Sequence, residues 1–198
     1  MITAALLGNP NVGKTTLFNY LTGSNQYVGN WPGVTIEKKE GYIGDRVKIV
    51  DLPGIYALDT FSNEEKISKE FLEKGNVDVI VNIVDASSLN RNLYLTLQLK
   101  QFKKPIILVL NMMDVAKAKG IKIDFEKLAK KLGVTVVPIS ASKGIGIENV
   151  KKLLKSGNFF RPTNENDYHY IDDERENYRF IEEVLSEVIV KESVESTT

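Results

Sequence analysis

The residues best suited to chemistry begin near the N-terminus. Gly8, Asn9, Pro10, Asn11, Val12, Gly13, Lys14 and Thr15 read GNPNVGKT and fit G-x-x-x-x-G-K-[ST], the pattern of a phosphate-binding loop. Gly8 and Gly13 let the backbone N–H groups turn inward as an anion nest. A helix opening near Lys14, with Thr16 in its first turn, directs its positive dipole end at the phosphates. Lys14 is then expected to reach the β- and γ-phosphates and the Thr15 hydroxyl to ligate Mg²⁺. The flanks agree: residues 2–7 form a short apolar run suited to a buried strand, and residues 16–21 carry apolar side chains at helical spacing.

Three further polar clusters follow in order. Gly33, Val34 and Thr35 close a loop over residues 24–35 that contains two glycines and a proline, and such a loop reads as long and functional. The Thr35 hydroxyl suits the Mg²⁺ shell and its N–H a γ-phosphate; taken alone, Thr35 reads first as an ordinary opening of the next strand. Asp51, Leu52, Pro53 and Gly54 end a strand, where an Asp can hold Mg²⁺ through water and Gly54 can turn its N–H toward a γ-phosphate. Ile55 stands where many signalling GTPases place a water-orienting glutamine, so that mechanism is expected to be missing. Asn111, Met112, Met113 and Asp114 end another strand. The Asp114 carboxylate can accept from guanine N1–H and the 2-amino group, donors adenine lacks, with Asn111 bracing the site. Ser140, Ala141 and Ser142 offer a backbone N–H to guanine O6.

The elements that must position these clusters alternate. Residues 36–43 and 47–50 read as a strand pair around Gly44-Asp45-Arg46. Glu37 and Glu40 make E-x-x-E, but strand positions three apart face opposite sides, so both read as surface charges. Ser62 and Glu65 make a capping box opening a helix within residues 60–75. Residues 77–84 and 106–110 read as strands covered on both faces. Between them, residues 93–99 alternate like a strand, yet parallel strands need a crossover, so a helix is expected. Residues 125–132 and 147–154 read as helices around a strand at 134–139. Residues 156–170 read as a linker, 172–191 as an amphipathic helix with Tyr178, Ile181, Leu185 and Val188 on its stripe, and 192–198 as a disordered tail. That stripe fits docking on the chain's own domain and an interdomain lever equally.

The whole composition narrows the class. In 198 residues, Lys+Arg and Asp+Glu each total 26, so bulk charge gives no argument for nucleic acid as a partner. There is no cysteine and one histidine, His169, which excludes thiolate sites, histidine clusters and the familiar hydrolytic triads. No signal peptide is visible, and no apolar run nears the roughly 20 residues that span a bilayer. A soluble, cytoplasmic polypeptide is expected.

GNPNVGKT, Thr35, DLPG, NMMD and SAS in this order resemble the five boxes of translation-factor-class GTPases. VGNWPGVT, DLPGIYAL, VDASSLNRNLYLTLQL and NMMD together are similar to the cytosolic G domain of the FeoB family of prokaryotic ferrous iron transporters, over about residues 1–155. The resemblance implies an α/β P-loop G domain with a mostly parallel six-stranded sheet, one antiparallel edge strand, helices on both faces and a short C-terminal helical extension. On this reading 1–155 is the GTP-binding domain, 156–170 a linker, 171–191 a reduced pre-membrane helix and 192–198 the tail. The family's longer helical domain and membrane spans are missing, so a fragment is expected. Met112 replaces the lysine of many GTPases, as the family does.

The resemblance further implies GTP and GDP as ligands, Mg²⁺ at Thr15, Thr35 and Asp51, and K⁺ held by Asn11 and backbone carbonyls of the first switch. Lys14, Asn11, Thr35 and Gly54 then carry the catalytic work, with switch loops at 25–36 and 54–62. Expected partners are the membrane-embedded transport domain of the same full-length protein and, as an open option, a second copy. Fe²⁺ would be transported but not bound here, and the residues themselves show no iron site. Two alternatives stand beside this reading: a nucleotide sensor with negligible hydrolysis, and a ribosome-assembly GTPase. The latter predicts a basic RNA-binding module, and none is visible.

Overall fold

The computed structural model describes residues 1–59, 61–162 and 170–191. Thr60, His169, the middle of the expected linker at 163–169 and the expected tail at 192–198 lie outside the described residues. The strands are β1 (Ile2–Gly8), β2 (Gln26–Asn30), β3 (Glu37–Ile43), β4 (Val47–Asp51), β5 (Val79–Asp85), β6 (Ile106–Asn111), β7 (Ile121–Ile123), β8 (Thr135–Pro138) and β9 (Ile189–Lys191). The α-helices are α1 (Lys14–Thr22), α2 (Asn63–Lys74), α3 (Leu89–Leu99), α4 (Met113–Ala118), α5 (Phe125–Leu132), α6 (Ile147–Ser156) and α7 (Glu174–Val188).

The main sheet has the order β2-β3-β4-β1-β5-β6-β8. From β4 to β8 all neighbours are parallel, while β3 is antiparallel to both β4 and β2. This is the expected mostly parallel α/β G-domain fold with one more strand than expected. The addition is β2, inside the stretch read as a loop. All but Gln26 in β2 are exposed, so no buried face imprints a period on its sequence, and backbone pairing with β3 forms it. The antiparallel strand therefore lies one place in from the edge.

Alternation along the strands divides the core. Ala4, Leu6, Val81 and Ile83 pack with Leu17 and Phe18 of α1 and Val150 of α6, while Ala5, Leu7, Ile80 and Val84 pack with α3 and α7 on the other face. The strand-like alternation of residues 93–99 has a simple cause. Leu93, Leu95, Thr96, Leu97, Gln98 and Leu99 are all buried, because α3 is covered by the sheet on one side and by α7 on the other. A helix buried all round loses the one-faced period that identifies helices. Its polar members find partners: Thr96 donates to Asn82 of β5 at 2.5 Å, and Asn82 donates to the Leu7 carbonyl at 3.3 Å.

The capping box forms as expected, with the Ser62 hydroxyl accepting from Glu65 N–H at 3.1 Å, although the Glu65 carboxylate returns to Phe61 N–H at 2.8 Å. The C-terminal helix differs from its expected form in two ways. It stops at Val188, after which Ile189–Lys191 pairs antiparallel with β7 in a separate two-stranded sheet. Ile181 and Val188 of the expected stripe are buried, but the other buried positions are Asn177 and Val184; Leu185 is half-buried, and Tyr178 stacks on Tyr94 of α3 at 4.9 Å and 3°. Burial, and after it the nearby Asp59 carboxylate, pushes the Tyr94 hydroxyl up to about 12. Part of the expected linker also packs: Phe159 is buried, and Phe160 N–H donates to the Thr135 hydroxyl at 2.7 Å. Among the described residues no helix is long and apolar enough to cross a membrane.

Because α7 buries Ile181 against the α3 side of the core, truncation there tests whether the helix belongs to the same cooperative unit. Ile181→Ala is expected to lower stability by about 3 kcal/mol in one urea transition. An unchanged main transition would show that α7 unfolds separately.

Candidate nucleotide-binding site

The expected phosphate loop lies between β1 and α1, at the carboxyl end of the sheet. Two glycines are dictated by space. A Cβ on Gly8 would sit 2.3 Å from the Ile83 carbonyl oxygen, and one on Gly13 would sit 2.3 Å from Asn111 Nδ2. Gly13 also has φ of +90°, and Asn11 takes the left-handed region at φ 65°, where asparagine is better tolerated than most residues. Among the described residues the N-terminus of α1 has no side-chain cap hydrogen bond, and its first turn holds no acidic residue. The first N–H groups are therefore left for an anion, the arrangement a phosphate requires.

A cavity of about 650 Å³ opens on this loop. It is lined by Asn9, Pro10, Asn11, Gly13, Lys14, Thr15, Thr16, Gly54, Asn111, Met112, Ala141 and Ser142. Gly8, Val12 and Leu52 are buried behind the loop rather than lining it. Lys14 Nζ donates to Asp51 Oδ1 from the end of β4. Burial raises the Asp51 carboxyl above its ordinary range, against the opposing pull of the Lys14 ammonium. After Asp51, Ile55 N–H donates to the Gly8 carbonyl at 3.1 Å, and the Ile55 side chain is buried. The structure thus brings Gly54 to the phosphate loop and turns Ile55 away from solvent.

The centre of the site is Asn111. Its Nδ2 donates to the Val12 carbonyl at 2.8 Å, and its Oδ1 accepts from Ala141 N–H at 2.9 Å. One buried carboxamide thereby joins the phosphate loop, the end of β6 and the Ser140–Ser142 turn. Met112 follows with φ of 62° and opens α4, whose first turn carries Asp114. Ser140 Oγ accepts from Asp114 N–H and donates to Asp114 Oδ1, both at 3.3 Å, and Lys143 Nζ lies 3.6 Å from Oδ2. Desolvation alone would raise the Asp114 carboxyl, but the Val115 N–H and the Lys143 ammonium outweigh it and hold the group below the usual carboxylate range. Asp114, Met113 and Ser140 border an adjoining cavity of about 660 Å³ rather than the first one.

One expectation for this region changes. Residues 24–35 do not form one long loop: after β2, Trp31 N–H donates to the Ile36 carbonyl at 2.9 Å, which leaves a short closed turn carrying Pro32, Gly33, Val34 and Thr35. Gly33, Val34 and Thr35 do not line the cavity, and Thr35 is exposed. In the Ser140–Ser142 turn, Ser140 N–H donates to the Ile145 carbonyl and Ala141 N–H to Asn111, so two of three N–H groups are engaged. Glu37 and Glu40 sit in ion pairs with Lys39, Lys38 and Lys48.

Some residues around the site were assigned no role from the sequence. Trp31 is buried against Phe71 of α2 at 5.6 Å, with Lys38 Nζ 4.7 Å above its ring, and pins the first switch turn. Its being the lone tryptophan, set in a polar loop, was the available clue. Lys143, directly after Ser142, and Gln98 of α3, which holds Leu58 N–H at 2.7 Å, carried none.

Asn111→Ala leaves the buried Val12 carbonyl and Ala141 N–H without their partner. It is expected to lower stability by about 3 kcal/mol in urea unfolding and to weaken GDP binding measured by calorimetry. An unchanged denaturation midpoint would contradict the bridging role.

Known proteins are similar to this chain in sequence and fold. The Fe(2+) transporter FeoB of Escherichia coli strain K12 is 49% identical over 160 residues, which cover 77% of this chain and 21% of that protein's length. A GDP-bound point mutant of the S. thermophilus FeoB G-domain superposes with a TM-score of 0.74 at 49% identity, covering 78% of this chain and 60% of that one. The cytosolic domain of L. pneumophila FeoB gives a TM-score of 0.82 at 35% identity, covering 96% of this chain and all of that one, 100%. The family model described as Ferrous iron transport protein B matches residues 2–154, and the chain belongs to the FeoB family as its N-terminal G domain, a GTPase domain.

Proposed function

We propose that the chain binds GTP with Mg²⁺ and hydrolyses it slowly, under stimulation by K⁺, as the cytosolic regulatory or driving domain of a ferrous iron membrane transporter. The observation that carries the reading is the joining of an uncapped helix N-terminus, Lys14 and Gly54 to the Asn111 bridge around one cavity. Membership of the FeoB family and the GDP-bound relative support it.

The roles follow from placement. N–H groups of residues 13–16 and the Lys14 ammonium would take the phosphates, with Asn9, Pro10 and Val12 shaping the loop. Thr15 directly and Asp51 through water would hold Mg²⁺, which neutralises charge on the phosphate oxygens. Both oxygen-bearing groups suit a hard cation. Gly54, flanked by Leu52 and Pro53, would direct its N–H to the γ-phosphate. Thr35, with Gly33 and Val34, would join only after the first switch turn moves inward, since it stands outside the cavity. Asp114 would read guanine, Met112 would pack on the base, Met113 would anchor α4, and Ser142 N–H would meet O6 beside Ser140 and Ala141. Asn11 would hold K⁺, which supplies fixed positive charge next to the transferring phosphoryl group.

In the full-length protein, residues 1–155 would form the G domain, 156–170 the connection, 171–191 the helical segment and 192–198 the tail toward the membrane-embedded part. Matched over 21% of its relative's length, the chain would serve iron transport without itself binding Fe²⁺ or nucleic acid, and a homo-oligomer remains compatible. The buried Ile55 favours a second reading, a nucleotide sensor that hardly turns over.

Multiple-turnover kinetics in K⁺ and Na⁺ buffers separate the two, with ATP as control. K⁺ is expected to raise GTP turnover by about tenfold or more, and Asn11→Ala to abolish that gain while GDP still binds. Equal, very slow rates in both salts would favour the sensor.

A further inference from the structure

Gln98 lies on α3, outside the five sequence boxes, and is buried. Its Oε1 accepts from Leu58 N–H at 2.7 Å, and its Nε2 donates to Asp59 Oδ1 at 3.2 Å. Both contacts fall on the second switch loop, four and five residues after Gly54. The same loop has a tie at its other end, where Ile55 N–H donates to the Gly8 carbonyl at 3.1 Å. Leu58 and Ile55 also bury their side chains, while Tyr56 between them is exposed. The loop is therefore clamped at two points three residues apart, one on the phosphate-loop strand and one on the Gln98 carboxamide.

The polarity of the second clamp is specific. Gln98 must accept on one side and donate on the other, which only a carboxamide of this length supplies at this position. A carboxylate would accept from Leu58 but face Asp59 as a like charge. A leucine would leave the buried Leu58 N–H unpaired. Separately from the carboxamide, Gln101 Nε2 donates to the backbone carbonyl of Gln98 at 2.9 Å.

We propose that Gln98 is a positioning residue for GTP hydrolysis: its side chain fixes the second switch loop so that Gly54 presents its backbone at the γ-phosphate. The carboxamide acts on the loop rather than on substrate, and it does not line the cavity. In a chain with isoleucine at position 55, the loop contributes backbone rather than a side chain, so the accuracy of that backbone governs the rate. The proposal rests on the reading of the chain as a GTP-hydrolysing domain.

The test reverses the polarity of the clamp. Gln98→Glu replaces the donor to Asp59 by a second carboxylate, and the repulsion between the two like charges drives the loop off the clamp, so that Leu58 N–H loses its acceptor. It is expected to slow single-turnover hydrolysis at saturating GTP about tenfold, with GDP affinity within about twofold of the parent, so that the loss falls on kcat rather than KM. Adding Asp59→Asn supplies a carboxamide that donates to the carboxylate introduced at position 98, and the double variant should recover to within about twofold of the parent. Retained GDP affinity certifies that each variant is folded. Amide hydrogen exchange at Leu58 gives an independent readout: protected in the parent and the double variant, exposed in Gln98→Glu. A double variant as slow as Gln98→Glu, or a parental rate in Gln98→Glu, overturns the proposal. A parent that hydrolyses no GTP refutes the activity reading instead, and Leu58 exchange then decides the positioning role alone; equal protection in all three proteins overturns it.

Discussion

Everything at the site depends on two hydrogen bonds of opposite sense made by one buried side chain. The Asn111 carboxamide gives a proton to the Val12 carbonyl and takes one from Ala141 N–H. These partners lie 99 and 30 residues away in sequence, on the segments that follow β1 and β8. Neither partner belongs to a strand or an α-helix that would hold it there. The bridge needs Gly13, since any Cβ at that position would meet Asn111 Nδ2. A single hydrogen-bonding group is a weak tether in water, but in a desolvated position its loss leaves two backbone groups unpaired, which is why it fixes geometry so effectively.

The sheet determines where such a bridge can exist. Five consecutive parallel strands deliver β1, β4, β5, β6 and β8 with their carboxyl ends on one edge, so the loops that follow them converge there. α1 and α6 cover one face, and α3 and α7 the other, so the strands are fixed from both sides. The first switch turn is held more lightly, by Trp31 against Phe71 and by backbone closure onto Ile36. The buried indole Nε1 has no hydrogen-bond partner among the described residues, so this anchor depends on packing. The site thus combines a rigid nucleotide frame with one turn whose retention is mostly apolar.

What could be read from the sequence was what spacing alone determines. GNPNVGKT, DLPG and NMMD each sit at a strand end, and the apolar runs before them locate those strands. The choice of helix for residues 93–99 came from topology, because the residues themselves alternate. Exposed or very short elements were illegible: β2 is exposed, and β7 and β9 are three residues each and pair across a wide separation. The pair of hydrogen bonds made by Asn111 was also hidden, since N-x-x-D says nothing about Val12. The residue types around Thr35 pointed to the phosphates, yet position in space depends on how the turn closes, which composition does not encode.

The pairing of β9 with β7 has a mechanical meaning. The register is antiparallel, with Lys191 opposite Ile121 and Ile189 opposite Ile123. Traction arriving from residue 192 loads the Lys191–Ile121 end first, so the strands peel apart one pair at a time instead of shearing together. The first residue to feel it on the other side is Ile121, just after Gly120 and the α4 helix that carries Asp114. The two-stranded sheet therefore has the geometry of a zipper, and its first pair borders α4, the helix that carries Asp114, rather than the phosphate loop.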